Sequence, residues 1–174
     1  MCTAITYKTK NFYFGRTLDL EYSYSEEVVI MPKKFSFPLR HSETRARKYA
    51  IIGTAFVPDT IPLFYDAANE AGLCMAGLNF PENAKYNKVN ENKTNVAQFE
   101  LIPFILGNCA DTEEAVKLIR KINITDTAYS RKLPLTDLHW IIADKNECVT
   151  VECVADGFKH SNGHNKLKSR IKAA

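Results

Sequence analysis

The 174-residue sequence lacks the features that would place it in several special classes of protein. It has no apolar run long enough to span a membrane, and no basic and apolar segment typical of a secretion signal precedes Cys2. Its formal net charge of +3 is too small to indicate nucleic acid or an anionic membrane as a partner. These absences predict a cytoplasmic protein that binds neither a membrane nor nucleic acid.

The number and spacing of the cysteines do not indicate a disulfide framework. The number of cysteines, 5, is odd, and their spacing shows no pairs. Because 45% of the residues are hydrophobic and 11% are aromatic, the chain can bury a core without disulfides. We therefore predict one domain with reduced thiols, at Cys2, Cys74, Cys109, Cys148 and Cys153.

The first feature that is present is a cysteine directly after the initiator methionine. Removal of Met1 would give Cys2 a thiol and a free α-amine, groups with reference pKa values of about 8.5 and 8. A thiolate attacks carbonyl carbons, and an adjacent amine can carry the proton, so this pair resembles the nucleophile and base of covalent catalysis. The alternative is a small buried residue at the start of a strand.

The segment that follows predicts a β-hairpin that returns two charges to the same end. Residues 3–17 alternate in hydrophobicity on either side of a short polar turn. The returning strand brings Arg16 and Asp19 near Cys2. Both charges can face the thiol if the strand ends or bulges around residues 17–18, since neighbouring side chains alternate between faces. The alternative is an ordinary surface ion pair.

The remaining patterns predict an α+β domain in which helices cover a sheet. Basic and Asn-rich stretches at 33–47 and 81–95 are typical of exposed loops, and residues 67–72 of a turn. The predicted strands are 27–31, 49–57, 62–66, 73–80, 138–143 and 147–152, and the predicted helices are 99–109, with Pro103 in its first turns, and 111–122.

The sequence contains five separate motifs, at residues 1–3, 14–19, 69–73, 76–81 and 138–144. They stand in the same order and separation as in the choloylglycine hydrolase family, which comprises bile salt hydrolases and penicillin V acylases. The sequence resembles that family over residues 1–158. The resemblance implies a bacterial N-terminal-nucleophile (Ntn) hydrolase with an αββα layered sandwich, of which this chain holds the N-terminal part only.

The resemblance also implies roles for individual residues. Cys2 matches the nucleophile exposed by loss of Met1, and Arg16 matches the arginine that contacts its thiol. Asp19 matches the aspartate at the α-amine, and Asn79 matches the residue that stabilises the oxyanion. A cation beside a thiol favours the thiolate, and an amide N–H stabilises an oxyanion. The alternative for Asn79 is a buried side chain that satisfies a backbone group.

The reaction implied by the resemblance is hydrolysis of the amide of glycine- or taurine-conjugated bile salts through a thioester on Cys2, without a metal or cofactor. Leu18 and Leu133 would line the apolar pocket for the steroid. An asparagine at position 79 favours the bile salt branch over the penicillin V branch. The alternatives are a penicillin V acylase type or another linear-amide hydrolase, and a truncated, inactive fragment that only binds ligand. Full-length family members are expected to be homo-oligomers.

Residues 159–174 depart from the family pattern and become polar and basic, so we predict an aberrant, disordered basic tail after a domain portion at 1–158. The tail lacks the aromatic residues that would favour nucleic acid binding. Cys148, Cys153, His160 and His164 superficially resemble a zinc set. Their spacing does not fit a finger, and two strand residues five apart point to opposite faces.

Overall fold

The structure is a computed structural model that describes residues 2–43, 47–162 and 167–168. The strands are β1 (Thr3–Lys8), β2 (Phe12–Thr17), β3 (Glu27–Met31), β4 (Ile51–Phe56), β5 (Leu63–Asn69), β6 (Cys74–Asn79), β7 (Thr94–Ala97), β8 (Ile122–Thr125), β9 (Leu138–Ala143), β10 (Cys148–Val154), β11 (Gly157–Asn162) and β12 (Leu167–Lys168). The helices are α1 (Leu101–Asn108), preceded by a 3₁₀ turn at Gln98–Glu100, and α2 (Thr112–Ile119).

An antiparallel seven-stranded sheet forms the centre of the fold, in the order β11-β10-β9-β6-β5-β4-β3. One face of this sheet packs against α1, which lies over β4, β5 and β6, and α2 packs beside α1. The main hydrophobic core lies between them and includes the fully buried side chains of Met75, Ile105 and Trp140. The chain therefore gains most of its apolar burial on this face.

A three-stranded sheet, β12-β1-β2, lies over the opposite face, where β1 packs on β6. Because side chains alternate along β9, Ile142 belongs to the helix-side core while Ile141 packs toward β1. The second hydrophobic cluster is small and consists of Cys2, Ala4, Ala76, Leu78 and Ile141. The resulting helix, sheet and sheet layers confirm the predicted α+β class.

Most predicted strands are confirmed. The predictions fail mainly where polar residues lie in buried strands. The turn expected at 67–72 begins later, because β5 continues to Asn69. The parallel pair β7–β8 was missed, since Asn95 and Asn123 are loop-forming types by composition. In the fold these two residues are paired and buried, and Asn123 Nδ2 donates to Asn95 Oδ1 at 2.8 Å.

The prediction of a disordered tail from residue 159 is wrong for residues 159–162. These residues complete β11, which pairs with the edge of β10 from Gly157 to Asn162. The edge strand offers unpaired backbone groups, and any chain of suitable reach can pair with them regardless of its charge. Leu167–Lys168 pairs with β1, and the rest of the predicted tail lies outside the described residues.

The zinc hypothesis is not supported by β10. Cys153 lies in the helix-side core, while Cys148 packs against the small cluster around Cys2, so the two thiols are on opposite faces as expected. His164 lies outside the described residues. Among the residues that are described, no three His, Cys, Asp or Glu side chains converge as a metal site.

Candidate active site

The β1–β2 hairpin places Cys2 and Arg16 on its inner face. Ala4 pairs with Arg16 across the hairpin, so their side chains share a face, and Cys2 shares it as well because it precedes Ala4 by two residues. Cys2 is 5% exposed and packs against β6 and β9. The predicted nucleophile and the predicted arginine are therefore diagonal neighbours between the two sheets.

The Arg16 guanidinium spans from the small sheet to the large one. Its Nη2 donates to the Gly77 carbonyl oxygen at 2.9 Å, and its Nη1 lies 3.6 Å from Asp66 Oδ2. The side chain is 5% exposed, and within the described part of the chain its Nε and Nη1 have no hydrogen-bond partner. Unused donors on a buried cation are available to an anion or a carbonyl oxygen that enters the site.

Asp66 is a residue of this site that sequence reasoning missed. It lies on β5, opposite Thr54 of β4, and its side chain is 22% exposed. Burial raises the pKa of the Asp66 carboxyl, and the Arg16 charge and hydrogen bonds with Thr54 oppose that rise. An aspartate inside an apolar strand was the available signal, because burying a carboxylate is unfavourable unless it has a partner.

For Asp19 to face the same site as Arg16, the strand has to end or bulge around residues 17–18. The structure meets this requirement, because β2 ends at Thr17. The Thr17 hydroxyl donates to Asp19 Oδ2 at 3.1 Å, and its oxygen accepts the Thr3 N–H at 3.0 Å. This relay holds the exposed Asp19 carboxylate next to the backbone that carries the Cys2 amine.

Asn79 lies at the exposed end of β6, opposite Leu138 of β9. The preceding residue, Leu78, packs in the cluster that contains Cys2. The alternative interpretation of Asn79 as a buried structural residue is therefore wrong. Its position at a strand end leaves the amide accessible, and its role at an oxyanion stays a prediction.

The two leucines predicted for the steroid pocket are both half-buried. Leu18 follows the end of β2 and is adjacent to Thr17. Leu133 lies in the segment between β8 and β9, where its N–H donates to the Ser130 hydroxyl oxygen at 3.1 Å. The pocket that these two residues would line stays a prediction.

Burial disfavours ionisation of the other four thiols. It raises the pKa of Cys74 to about 11 and that of Cys109 and Cys153 to about 12, and it also raises the pKa of Cys148. A thiol must ionise to become a nucleophile, so these side chains are structural. Cys2 differs from them in its position, because it shares the inner face of the hairpin with Arg16.

Asn69 anchors the strand that carries Asp66. Its Nδ2 donates to the carbonyl oxygens of Leu106 and Cys109 at the end of α1, at 2.9 and 2.7 Å. Its Oδ1 accepts the N–H groups of Ala71 and Leu73, both at 3.0 Å. The side chain thereby joins the β5–β6 turn to the helix layer.

No helix in the described ranges is long and apolar enough to cross a membrane.

Known proteins resemble this chain over most of its length. A family model described as linear amide C-N hydrolases, choloylglycine hydrolase family, matches residues 2–165. A bile salt hydrolase/transferase from Lactiplantibacillus plantarum is 47% identical over 159 residues, which are 91% of this chain and 49% of that protein. A bile salt hydrolase/transferase from Clostridium perfringens is 36% identical over 83% of this chain and 45% of its own length.

Solved structures of related proteins share the fold of this chain. The C2A mutant of conjugated bile acid hydrolase from C. perfringens superposes with a TM-score of 0.87 at 32% identity, over 94% of this chain and 51% of the other. Penicillin V acylase from Agrobacterium tumefaciens superposes with a TM-score of 0.79 at 20% identity, which shows a shared fold. The predicted Ntn-hydrolase fold is confirmed, and the chain spans about half the length of the relatives it matches. The chain belongs to the choloylglycine hydrolase family.

Proposed function

We propose that this chain carries the nucleophilic part of an amidase that cleaves bile acids conjugated to glycine or taurine. The observation that supports this most directly is the placement of Cys2 and Arg16 on the inner face of one hairpin, with the guanidinium buried and two of its donors unused in the described structure. The two relatives named from L. plantarum and C. perfringens are bile salt hydrolase/transferases, and this supports the substrate class.

The first half of the proposed reaction forms a thioester. The Cys2 thiolate attacks the amide carbonyl carbon, and the π electrons move to the oxygen, where the Asn79 amide donates a hydrogen bond. Collapse of this intermediate breaks the C–N bond, and the departing amine takes a proton from the α-ammonium group of Cys2. The bile acid remains bound as a thioester, and glycine or taurine leaves.

The second half releases the bile acid. The α-amine takes a proton from water, the hydroxide attacks the thioester carbonyl, and the C–S bond breaks to restore the thiolate. Arg16 favours that thiolate because it keeps its own charge and does not compete for the proton. Asp19, through Thr17 and the Thr3 backbone, would orient the amine.

The test is release of taurine or glycine from taurocholate or glycocholate by the purified chain, with intact mass confirming removal of Met1. We expect turnover that Cys2→Ala abolishes and that Cys74→Ala, a change of a half-buried cysteine outside the proposed site, leaves unchanged. Ligand binding without turnover would overturn the proposal that the chain itself is active and would favour the fragment that only binds.

Penicillin V serves as the competing substrate in the same assay. Faster cleavage of penicillin V than of either bile salt would overturn the substrate assignment while leaving the amidase mechanism in place. The expectations that no cofactor is needed and that full-length members are homo-oligomers stay predictions.

A further inference from the structure

We propose that Asp66 is a positioning residue for the nucleophile, acting through Arg16. It holds the guanidinium between the two sheets, beside Cys2, by charge pairing from the side of β5. The proposal rests on the proposed function, because it assigns Asp66 a task only if Arg16 favours the Cys2 thiolate.

The contacts of Arg16 leave its position dependent on this carboxylate. One hydrogen bond, from Nη2 to the Gly77 carbonyl, fixes one corner of the guanidinium. The opposite corner, Nη1, has no hydrogen-bond partner in the described structure and faces Asp66 Oδ2 at 3.6 Å. An arginine side chain has many rotamers, and burying its charge costs desolvation energy. One hydrogen bond at one corner is therefore not enough to keep the guanidinium in its buried position.

Asp66 is suited to this task because it is itself held. Its backbone pairs with Thr54 of β4 within the large sheet, and Thr54 opposes the rise that burial causes in the pKa of its carboxyl. Asn69, three positions further along β5, ties the same strand to α1. The carboxylate therefore stays in place when the guanidinium is displaced, and this is what a positioning group requires.

Other titratable groups also face the space between the sheets and have to be considered. They are Cys74 on β6, His139 on β9, Cys148 and Glu152 on β10, and Asp19 after β2. Tyr65, next to Asp66 on β5, also interacts with the Arg16 charge, which opposes the rise that burial causes in the Tyr65 pKa. His139 is within 3.4 Å of Glu152, Asp19 accepts from Thr17, and the thiols are disfavoured as anions by burial. Within the described ranges, the carboxylate that forms an ion pair with Arg16 is that of Asp66.

The experiment measures the rate of Cys2 alkylation by iodoacetamide as a function of pH, with the modified site identified by mass spectrometry. For Asp66→Asn, which keeps the shape and removes the charge, we expect the midpoint of the pH profile to rise by about one unit as the cation leaves the thiol. Loss of a negative charge without displacement of Arg16 would lower the midpoint. The sign of the shift therefore separates positioning from a direct charge effect.

A double-mutant cycle completes the test. Arg16→Leu should raise the midpoint by itself, and Asp66→Asn should cause no further rise in the Arg16→Leu background. Asp156→Asn is the matched control, since it removes an exposed, ion-paired aspartate at the β10–β11 turn and should leave the profile unchanged. Far-UV circular dichroism checks that each variant is folded. If Asp66→Asn is poorly folded, Asp66→Glu takes its place: it keeps the negative charge, so its alkylation midpoint should lie closer to that of the unmodified chain than the midpoint of Arg16→Leu does.

A midpoint that falls or does not move in folded Asp66→Asn would overturn the proposal, as would an equal rise in the Arg16→Leu background. Alkylation requires no substrate, so its outcome is independent of bile salt turnover. If bile salts are cleaved while the midpoint stays unchanged, the positioning role fails alone. If the midpoint rises but no bile salt is cleaved, the proposed reaction fails while the coupling of Asp66 to Cys2 holds.

Discussion

The two faces of the seven-stranded sheet differ in composition and in packing. The face toward α1 and α2 is almost entirely apolar, with large side chains such as Met75, Trp140 and Ile142 fully buried. The face toward β1 and β2 has a smaller cluster, built largely of alanines and Cys2. The buried ion pair of Arg16 and Asp66 lies on this second face.

This difference shows that the residues that stabilise the fold and the residues of the candidate site lie on opposite faces of the sheet. Dense apolar packing on the helix side contributes the larger share of the free energy of folding. The second face gives up part of that packing for the Arg16 cation, the Asp66 carboxylate and the Cys2 thiol, groups that are unfavourable to bury unless they are paired. The predictions below test this division, from the largest expected effect to the smallest.

The largest effect is expected for a pair of neighbours on β9 that point to opposite faces. Ile142→Ala should lower the free energy of unfolding by about 2–5 kcal/mol, because it leaves a cavity in a dense core. Ile141→Ala should cost less, because its neighbours are small and the overlying sheet has only three strands. Urea denaturation of both variants measures the difference, and iodoacetamide should label Cys2 faster in Ile141→Ala. Equal losses of stability would contradict the division between the two faces.

A pair of glycines gives the next largest effect. A Cβ at Gly53 would overlap the Asp66 carbonyl oxygen and Ala67 on the neighbouring strand, so Gly53→Ala should cost about 1–3 kcal/mol. A Cβ at Gly15, on the outer face of β2, meets nothing within 4 Å in the described structure, so Gly15→Ala should change stability by less than about 0.5 kcal/mol. Thermal unfolding monitored by circular dichroism compares them. A loss in Gly15→Ala that equals the loss in Gly53→Ala would show that the small sheet is as tightly packed as the large one.

A smaller effect is expected from acid. Burial lowers the pKa of His139, whose ring stacks on Phe80 at 4.6 Å, and nearby Glu152 only partly opposes the shift. A histidine with a lowered folded pKa binds more protons when unfolded, so stability is full above its unfolded pKa of about 6.5. Stability should then fall as the pH drops, by at most about 1.4 kcal/mol per pH unit.

The matched variants are His139→Gln and His41→Gln, measured by urea denaturation between pH 5 and 7.5. Removing His139 should flatten the slope, whereas removing the exposed His41 should leave it unchanged. An unchanged slope in His139→Gln would assign the acid sensitivity to another group.

The smallest change in stability is expected where the second face is uncovered. Val28, Ile30 and Ile52 are 72%, 69% and 48% exposed, and Ile30 pairs with Ile52 across β3 and β4. Ile30→Lys should change the free energy of unfolding by less than about 0.5 kcal/mol. It should also reduce concentration-dependent light scattering, because an exposed apolar strip promotes association. A large loss of stability would mean that Ile30 is buried in solution.

Local patterns predicted the parts of the fold whose contacts are close in sequence. The β1–β2 hairpin depends on the alternation of residues 3–17, and its end at Thr17 leaves Arg16 and Asp19 at the same end of the hairpin. The roles at Cys2 and Asn79 came from the family resemblance, which no periodicity could supply.

Contacts between distant segments could not be predicted in this way. Asp66 meets Arg16 only because β5 lies beneath β2 after both sheets have formed, and the register of that packing is not written in either segment. Strands β7 and β8 were hidden for a similar reason, since Asn95 and Asn123 satisfy each other only when paired. The pairing of β11 with β10 likewise depends on a free sheet edge rather than on the polar composition of 159–162.

The side-chain amide of Asn69 has a mechanical consequence for the active site. It clamps the last carbonyls of α1 to the strand that bears Asp66, so the two layers cannot separate at this point without breaking both bonds. If Asp66 positions the guanidinium as proposed, a disturbance at the end of α1 should reach Arg16 through β5. Loss of the two Asn69 hydrogen bonds should then slow the reaction of Cys2 before the large sheet unfolds.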